Sequence, residues 1–146
     1  NIPILQLSIN IDQSLDFHFK LGEALKFLRE QEVLIVGSGN IVHNLEMMNW
    51  TGPSSAHSWA TEFESWVIEH LNKKHYTPLI FGMKQHPAAD LSVPTLDHYL
   101  PLLYVLGAST EKDILKLNYR KIEHSAISML TFTLSEEGHE GPLQNT

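Results

Sequence analysis

The chain has nine histidines and no cysteine among its 146 residues, so any transition-metal chemistry in it must use imidazole and carboxylate donors. Imidazole also titrates near neutrality, which suits it to accepting and returning protons. Two histidine-centred stretches have the residue types for such work. The first is Gly37-Ser38-Gly39-Asn40-Ile41-Val42-His43-Asn44, which follows a short apolar run. The second is Thr95-Leu96-Asp97-His98-Tyr99-Leu100-Pro101-Leu102-Leu103-Tyr104-Val105-Leu106-Gly107, in which His98 precedes an apolar rod. His86 stands before Pro87, which pushes it onto extended or turn backbone from which a side chain can reach a substrate. Read from the residues alone, His98 is either a ligand or a histidine bonded to a neighbouring loop. His43 is either a crevice residue or a surface one, and both choices stay open at this level.

The elements that would position these residues follow from periodicity. Residues 2–11 are rich in Ile and Leu, as a buried strand would be. From Ser14 the period becomes helical, with Phe17, Leu21, Ala24, Leu25 and Leu28 on one face. Residues 33–36 form a second apolar strand. Strand, helix and strand make a βαβ unit, which calls for a parallel sheet, and in such a sheet the residues just past a strand's carboxyl end line the ligand crevice. The glycine pair Gly37 and Gly39 is no dinucleotide fingerprint, because Val42 stands where a further Gly is needed. No Gly-Lys-Ser/Thr follows for a phosphate loop, and Ser38 is not placed as a nucleophile elbow. The glycines are therefore expected to permit a tight turn that aims His43 and Asn44 into the crevice.

Further along, Trp59, Phe63, Trp66, Val67, His70 and Leu71 fall on one helical stripe, opposite Glu62, Glu64 and Glu69. Two tryptophans on that stripe read as core. Residues 77–90 are expected to hold a short helix and a loop. In the second histidine stretch Thr95 is the expected N-cap, with Asp97 in the first turn and Gly107 as the stop. Pro101 lies too deep for that start, so a kink or a late start is expected where His98 projects. Residues 114–119 and 126–134 alternate as strands of a closing hairpin. The expected fold is α/β, a mostly parallel central sheet flanked by helices with a C-terminal β-hairpin, in one incomplete domain over residues 1–134 with a loose tail over 135–146. His18, His57, His70, His75 and His124 carry no expected role, with His70, His75 and His124 expected to face solvent.

Composition narrows the function classes. A net charge of −7 with no Lys/Arg cluster speaks against nucleic acid or an anionic membrane as partner. No run of about 18 apolar residues is long enough to span a bilayer, and the lack of cysteine makes a reducing, cytoplasmic compartment the default. The sequence opens at Asn1 and passes at once into an apolar strand, and it reads like a chain entered in the middle.

Taken together, Val36 to Leu45, Trp59-Ala60, His86-Pro87, Pro94 to Ala108 and Ser128-Met129-Leu130 resemble the class III, LigB-like, extradiol ring-cleavage dioxygenases, nearest to the DOPA 4,5-dioxygenase type. The resemblance extends over the chain except its tail, and it matches only the C-terminal part of the longer family sequence. It implies that His98 is a metal ligand and that His43 is an acid/base residue beside the metal, or a further ligand when zinc is bound. It places His86 near the substrate, and Asn44 in the crevice is a candidate for substrate binding. It also implies Fe(II) or Zn(II) as cofactor, a catechol-type molecule and O2 as reactants, and the N-terminal half of the same enzyme as the source of two more histidine ligands. Extradiol cleavage needs a divalent metal with open positions, so that catecholate and dioxygen can bind together. Two other readings compete: a zinc-dependent hydrolase using His43 and His98 with Asp97 or Asp90, and a metal-free binding member of the same fold.

Overall fold

Ser14 opens the first regular element of the computed structural model, which describes residues 2–52 and 55–136. Its side chain accepts a hydrogen bond from the Phe17 amide at 3.1 Å, satisfying one of the donors a helix start leaves free, and α1 runs over Leu15–Leu25. The helix tightens into a 3-10 segment, Lys26–Gln31, and stops at Glu32, which is left-handed with φ 61°. The Glu32 amide bonds to the Arg29 carbonyl and the Val33 amide to the Leu28 carbonyl, the bond pair of a Schellman stop. The inward face of α1 differs from the predicted stripe. His18 and Gly22 are buried and Leu15 and Phe19 pack on the core, while Phe17 is exposed. A later helix crosses α1 so closely that a side chain at Gly22 would strike the Tyr104 backbone, and this crossing rather than the apolar count decides which face turns inward.

Helix α2 (Ser58–Asn72) buries Phe63, Val67 and Leu71 as its stripe predicts. Glu64, expected on the solvent side, is only 2% exposed. It accepts from Arg120 Nε at 2.6 Å and Ser128 Oγ at 2.8 Å, partners that make a buried carboxylate tolerable. A π-helical turn (Pro78–Gly82), a 3-10 turn (Met83–Gln85) and the short α3 (Ala89–Ser92) lead to α4 (Leu100–Gly107). The late start of α4 puts Pro101 in the first turn, where its missing N–H costs no helical bond. Nearly all of α4 is buried, so it is the rod on which the core is assembled.

The strands are short and antiparallel. β1 (Ile114–Tyr119) pairs with β4 (Thr131–Ser135), setting Leu117 opposite Phe132. Inside this pair, β2 (Ile122–Glu123) and β3 (Ile127–Ser128) form a smaller hairpin. The predicted single hairpin is thus two nested ones. The inner turn carries His124 at φ 48° and Ser125 at φ 67°, the backbone of a type I′ hairpin loop without its usual Asn-Gly. Ser135 belongs to β4, and residues 137–146 of the expected tail lie outside the described residues.

The parallel sheet is not formed among the described residues: both sheets are two-stranded and antiparallel. Residues 2–10 and 33–36 have no strand assignment, and Ile2, Leu5 and Leu34 are 90%, 96% and 84% exposed. A strand requires a neighbour to bond to, and apolar alternation reports side chains without supplying that neighbour. The observed fold is a mixed helix and strand domain. No helix among the described residues is long and apolar enough to cross a membrane.

Candidate functional site

The loop 37–44 reaches the lead-in to α4 because Gly39 has no side chain: a Cβ there would collide with the His98 carbonyl, and Gly37 packs in the same way on the Pro101 backbone. Neither glycine has a positive φ, so the pair serves close backbone approach rather than the predicted tight turn. Past Gly39 the loop is fastened on three sides. The His43 amide bonds to the Ser92 carbonyl at the end of α3 at 2.9 Å, the Ser128 amide bonds to the Val42 carbonyl at 2.9 Å, and the Asn44 amide bonds to the Ala126 carbonyl at 3.2 Å. Asn40 adds a side-chain bond to the Ser128 carbonyl at 2.8 Å. Val42 and Ile41 are buried beneath these bonds.

His43 is held by this frame and is 7% exposed. Its Nδ1 lies 3.0 Å from the Asn40 carbonyl, which can only accept, so Nδ1 carries the proton. Its Nε2 lies 3.2 Å from the Thr95 hydroxyl. Burial lowers the imidazole pKa, the Asn40 carbonyl works against that, and nearby His98 adds to the lowering. The ring is therefore neutral near pH 7, with Nε2 as its basic nitrogen.

His98 sits at the rim with a half-exposed side chain, its Nε2 3.5 Å from Asp97 Oδ2. The His43 and His98 rings are 4.8 Å apart between centroids and inclined by 43°. A hydrogen bond from the Thr95 hydroxyl, with His98 and His43 nearby, holds the Asp97 carboxyl below its usual range. Four side chains thus meet at one place: His43 at the base, with Thr95, Asp97 and His98 around it. Two imidazoles this close can serve one cation, and the neutral ring with a fixed tautomer can act as a base. Among the described residues no group of three or more His, Asp or Glu is placed to hold a metal ion.

The other candidates fall elsewhere. His86 packs its ring on Phe63 and Trp66, its Nδ1 accepts from the Ala88 amide at 3.2 Å, and no hydrogen bond or ring contact joins it to His43 or His98. Asn44 is buried, donating to the Leu91 carbonyl at 2.9 Å and accepting from the Met47 amide at 3.1 Å. It fastens the loop, while the Asn40 carbonyl fixes the His43 tautomer. His70, expected to face solvent, is partly buried against Trp66. His18 is fully buried with Nδ1 2.9 Å from the Tyr104 hydroxyl. Thr95 and Asn40 are the site residues the sequence did not mark. Thr95 has the type and place of a helix cap, and nothing in its spacing points to His43.

Residues 1–133 match the family described as the catalytic LigB subunit of aromatic ring-opening dioxygenase. The chain belongs to that family. This LigB-family chain is 40% identical over 136 residues to the 4,5-DOPA dioxygenase extradiol of Escherichia coli (strain K12), a match covering 90% of the chain and 49% of that protein. It is 31% identical over 134 residues to the 4,5-DOPA dioxygenase extradiol of Portulaca grandiflora, again covering 90% of the chain and 49% of the relative. In structure it is similar to an uncharacterized protein of Escherichia coli K12 solved by crystallography, with a TM-score of 0.79 and 38% identity over 86% of this chain and 52% of that one. The LigB-family chain therefore spans about half the length of these relatives.

Proposed function

We propose that this chain forms part of the catalytic domain of an extradiol dioxygenase that opens the ring of a DOPA-like catechol with dioxygen. His98 is a metal ligand, and His43 is the acid–base residue or, with zinc bound, a further ligand. The observation that carries this reading is the convergence of His43 and His98 at 4.8 Å in a chain of the LigB family. Relatives named 4,5-DOPA dioxygenase extradiol support the choice of catechol.

LigB-family extradiol dioxygenases use a non-haem metal, here iron(II) or zinc(II). The two imidazoles fit such a metal as nitrogen donors. The described residues add no third donor, so the remaining ligands are assigned to the half of the family's length that this chain does not span. When bound, the metal holds catecholate and dioxygen together and lets electron density pass between them. His43, neutral with Nε2 basic, takes a proton from a catechol hydroxyl and returns one as the ring opens. The Asn40 carbonyl keeps that tautomer in place. His86, walled by Trp66 and Phe63, is assigned to the substrate mouth, and Asn44 supports binding by holding the loop. The largely exposed stretches at 2–9 and 33–36, which carry no helix or strand assignment, are assigned as strands of a parallel central sheet, completed by the half of the family's length that this chain does not span.

Anaerobic loading with iron(II), then a catechol and air, tests the reading. A yellow ring-opened product is expected when the chain is joined to a polypeptide supplying the other half, and it is lost in His43→Ala. A full rate from the chain alone would remove the need for a second half. A completed enzyme that opens no catechol would overturn the function.

A further inference from the structure

We propose that Thr95 is a positioning residue, its hydroxyl anchoring His43 Nε2 and so setting the angle at which that ring faces His98. The purpose of that angle rests on the functional reading above, whereas the anchoring itself stands on geometry.

Thr95 has the residue type of a helix cap, yet it does not act as one. The Tyr99 and Leu100 amides both bond to the Leu96 carbonyl, at 2.8 and 2.9 Å, and Tyr99 occupies the cap of α4. The hydroxyl is thereby released from the backbone and lies 3.2 Å from His43 Nε2. The Thr95 backbone carbonyl also faces the His43 ring, so Thr95 meets that ring through two of its groups. His43 is otherwise fixed through Nδ1, to a carbonyl three residues back in its own loop. One bond on a ring leaves rotation about that bond, and a second on the far nitrogen removes it. Because Thr95 is three residues before His98 on the same lead-in, the anchor references the ring to the backbone that carries its neighbour. The hydroxyl has one hydrogen, for which the Asp97 carboxylate and His43 Nε2 compete, and the anchor is the arrangement in which that hydrogen is turned to Nε2. Thr95 is itself exposed.

The test uses the chain labelled with 15N-histidine, as wild type, Thr95→Val and Thr95→Ser. In Thr95→Val the His43 Nε2 resonance is expected to move downfield, toward an unbonded imine nitrogen. The cross-relaxation between the His43 and His98 rings weakens, and the backbone amide spectrum outside the site stays unchanged. Thr95→Ser is expected to restore both ring signals. Unchanged Nε2 and ring signals in Thr95→Val would overturn the proposal, and so would a serine variant that behaves like valine. In a completed enzyme Thr95→Val is expected to lower kcat roughly 10- to 100-fold with KM nearly unchanged, the scale of losing a group that orients another, and an undiminished kcat would contradict it. If the completed wild-type enzyme opens no ring, the functional reading falls while the Nε2 result still decides the anchor.

Discussion

His43 can act as a base because its other nitrogen is committed to the Asn40 carbonyl and its ring is removed from water. Burial lowers its pKa, so the ring stays neutral to below the ordinary imidazole value. The ring-opening rate of a completed enzyme is therefore expected to hold steady through about pH 6.5 and to fall only on the acid side of it, as His43 takes up a proton and ceases to accept one. A pH–rate profile measures this, and an acid limb above that value would contradict it. His18 makes a second prediction. Burial pushes its pKa down, with the Asn10 carbonyl a weaker opposing influence. As pH falls through the ordinary value the unfolded chain binds a proton that the folded chain refuses, so stability is complete above about 6.5 and declines below it. Urea midpoints are expected to drop from about pH 7.5 to about pH 5.5, with a shallower slope in His18→Gln. His43 and His98 were legible in the sequence because histidine inside a long recognisable block carries its own signal. Thr95, Asn40 and buried His18 were not, since their partners are set by how α1, α4 and the loop approach one another.

Helix boundaries could be read where their causes are local, as where Ser14 caps α1 and Pro101 delays the start of α4, whereas Thr95 does not cap α4 and Gly107, still helical, serves close packing on the Phe19 carbonyl rather than a stop. Strands needed partners that spacing does not name. Residues 2–10 and 33–36 have the composition of strands but no strand pairing among the described residues, and the inner hairpin was hidden by a His124-Ser125 turn lacking the usual Asn-Gly. Glu64 looked solvent-facing because Arg120 and Ser128, its partners, lie far along the chain. Two substitutions test the elements as described. Glu32 holds the left-handed stop after the 3-10 segment with φ 61°, so Glu32→Gly is expected to stabilise the fold by about 1 kcal/mol in urea unfolding. Gly39→Ala meets the His98 carbonyl and is expected to cost roughly 1–3 kcal/mol, the usual penalty for overpacking. It should also weaken the cross-relaxation between the His43 and His98 rings, whereas an intact ring pair would show that another feature brings the loop to α4.

At the scale of the molecule, the chain spans about half of its relatives' length and leaves Ile2, Ile4, Leu5, Leu34 and Val36 largely exposed. If these stretches are strands of a shared sheet, adding a polypeptide that supplies the other half should slow amide exchange at 2–9 and 33–36 more than in α2, because new ladder bonds form there. Unaltered exchange in both stretches would place the contact elsewhere. The central claim is that His43 and His98 serve a single cation, and it can be tested on the chain as it stands. Dilute Mn2+ should broaden the ring protons of those two histidines together and ahead of the other seven, and His98→Ala should release His43 from that broadening. Broadening centred on His70 and His75, or none at His43 and His98, would contradict it.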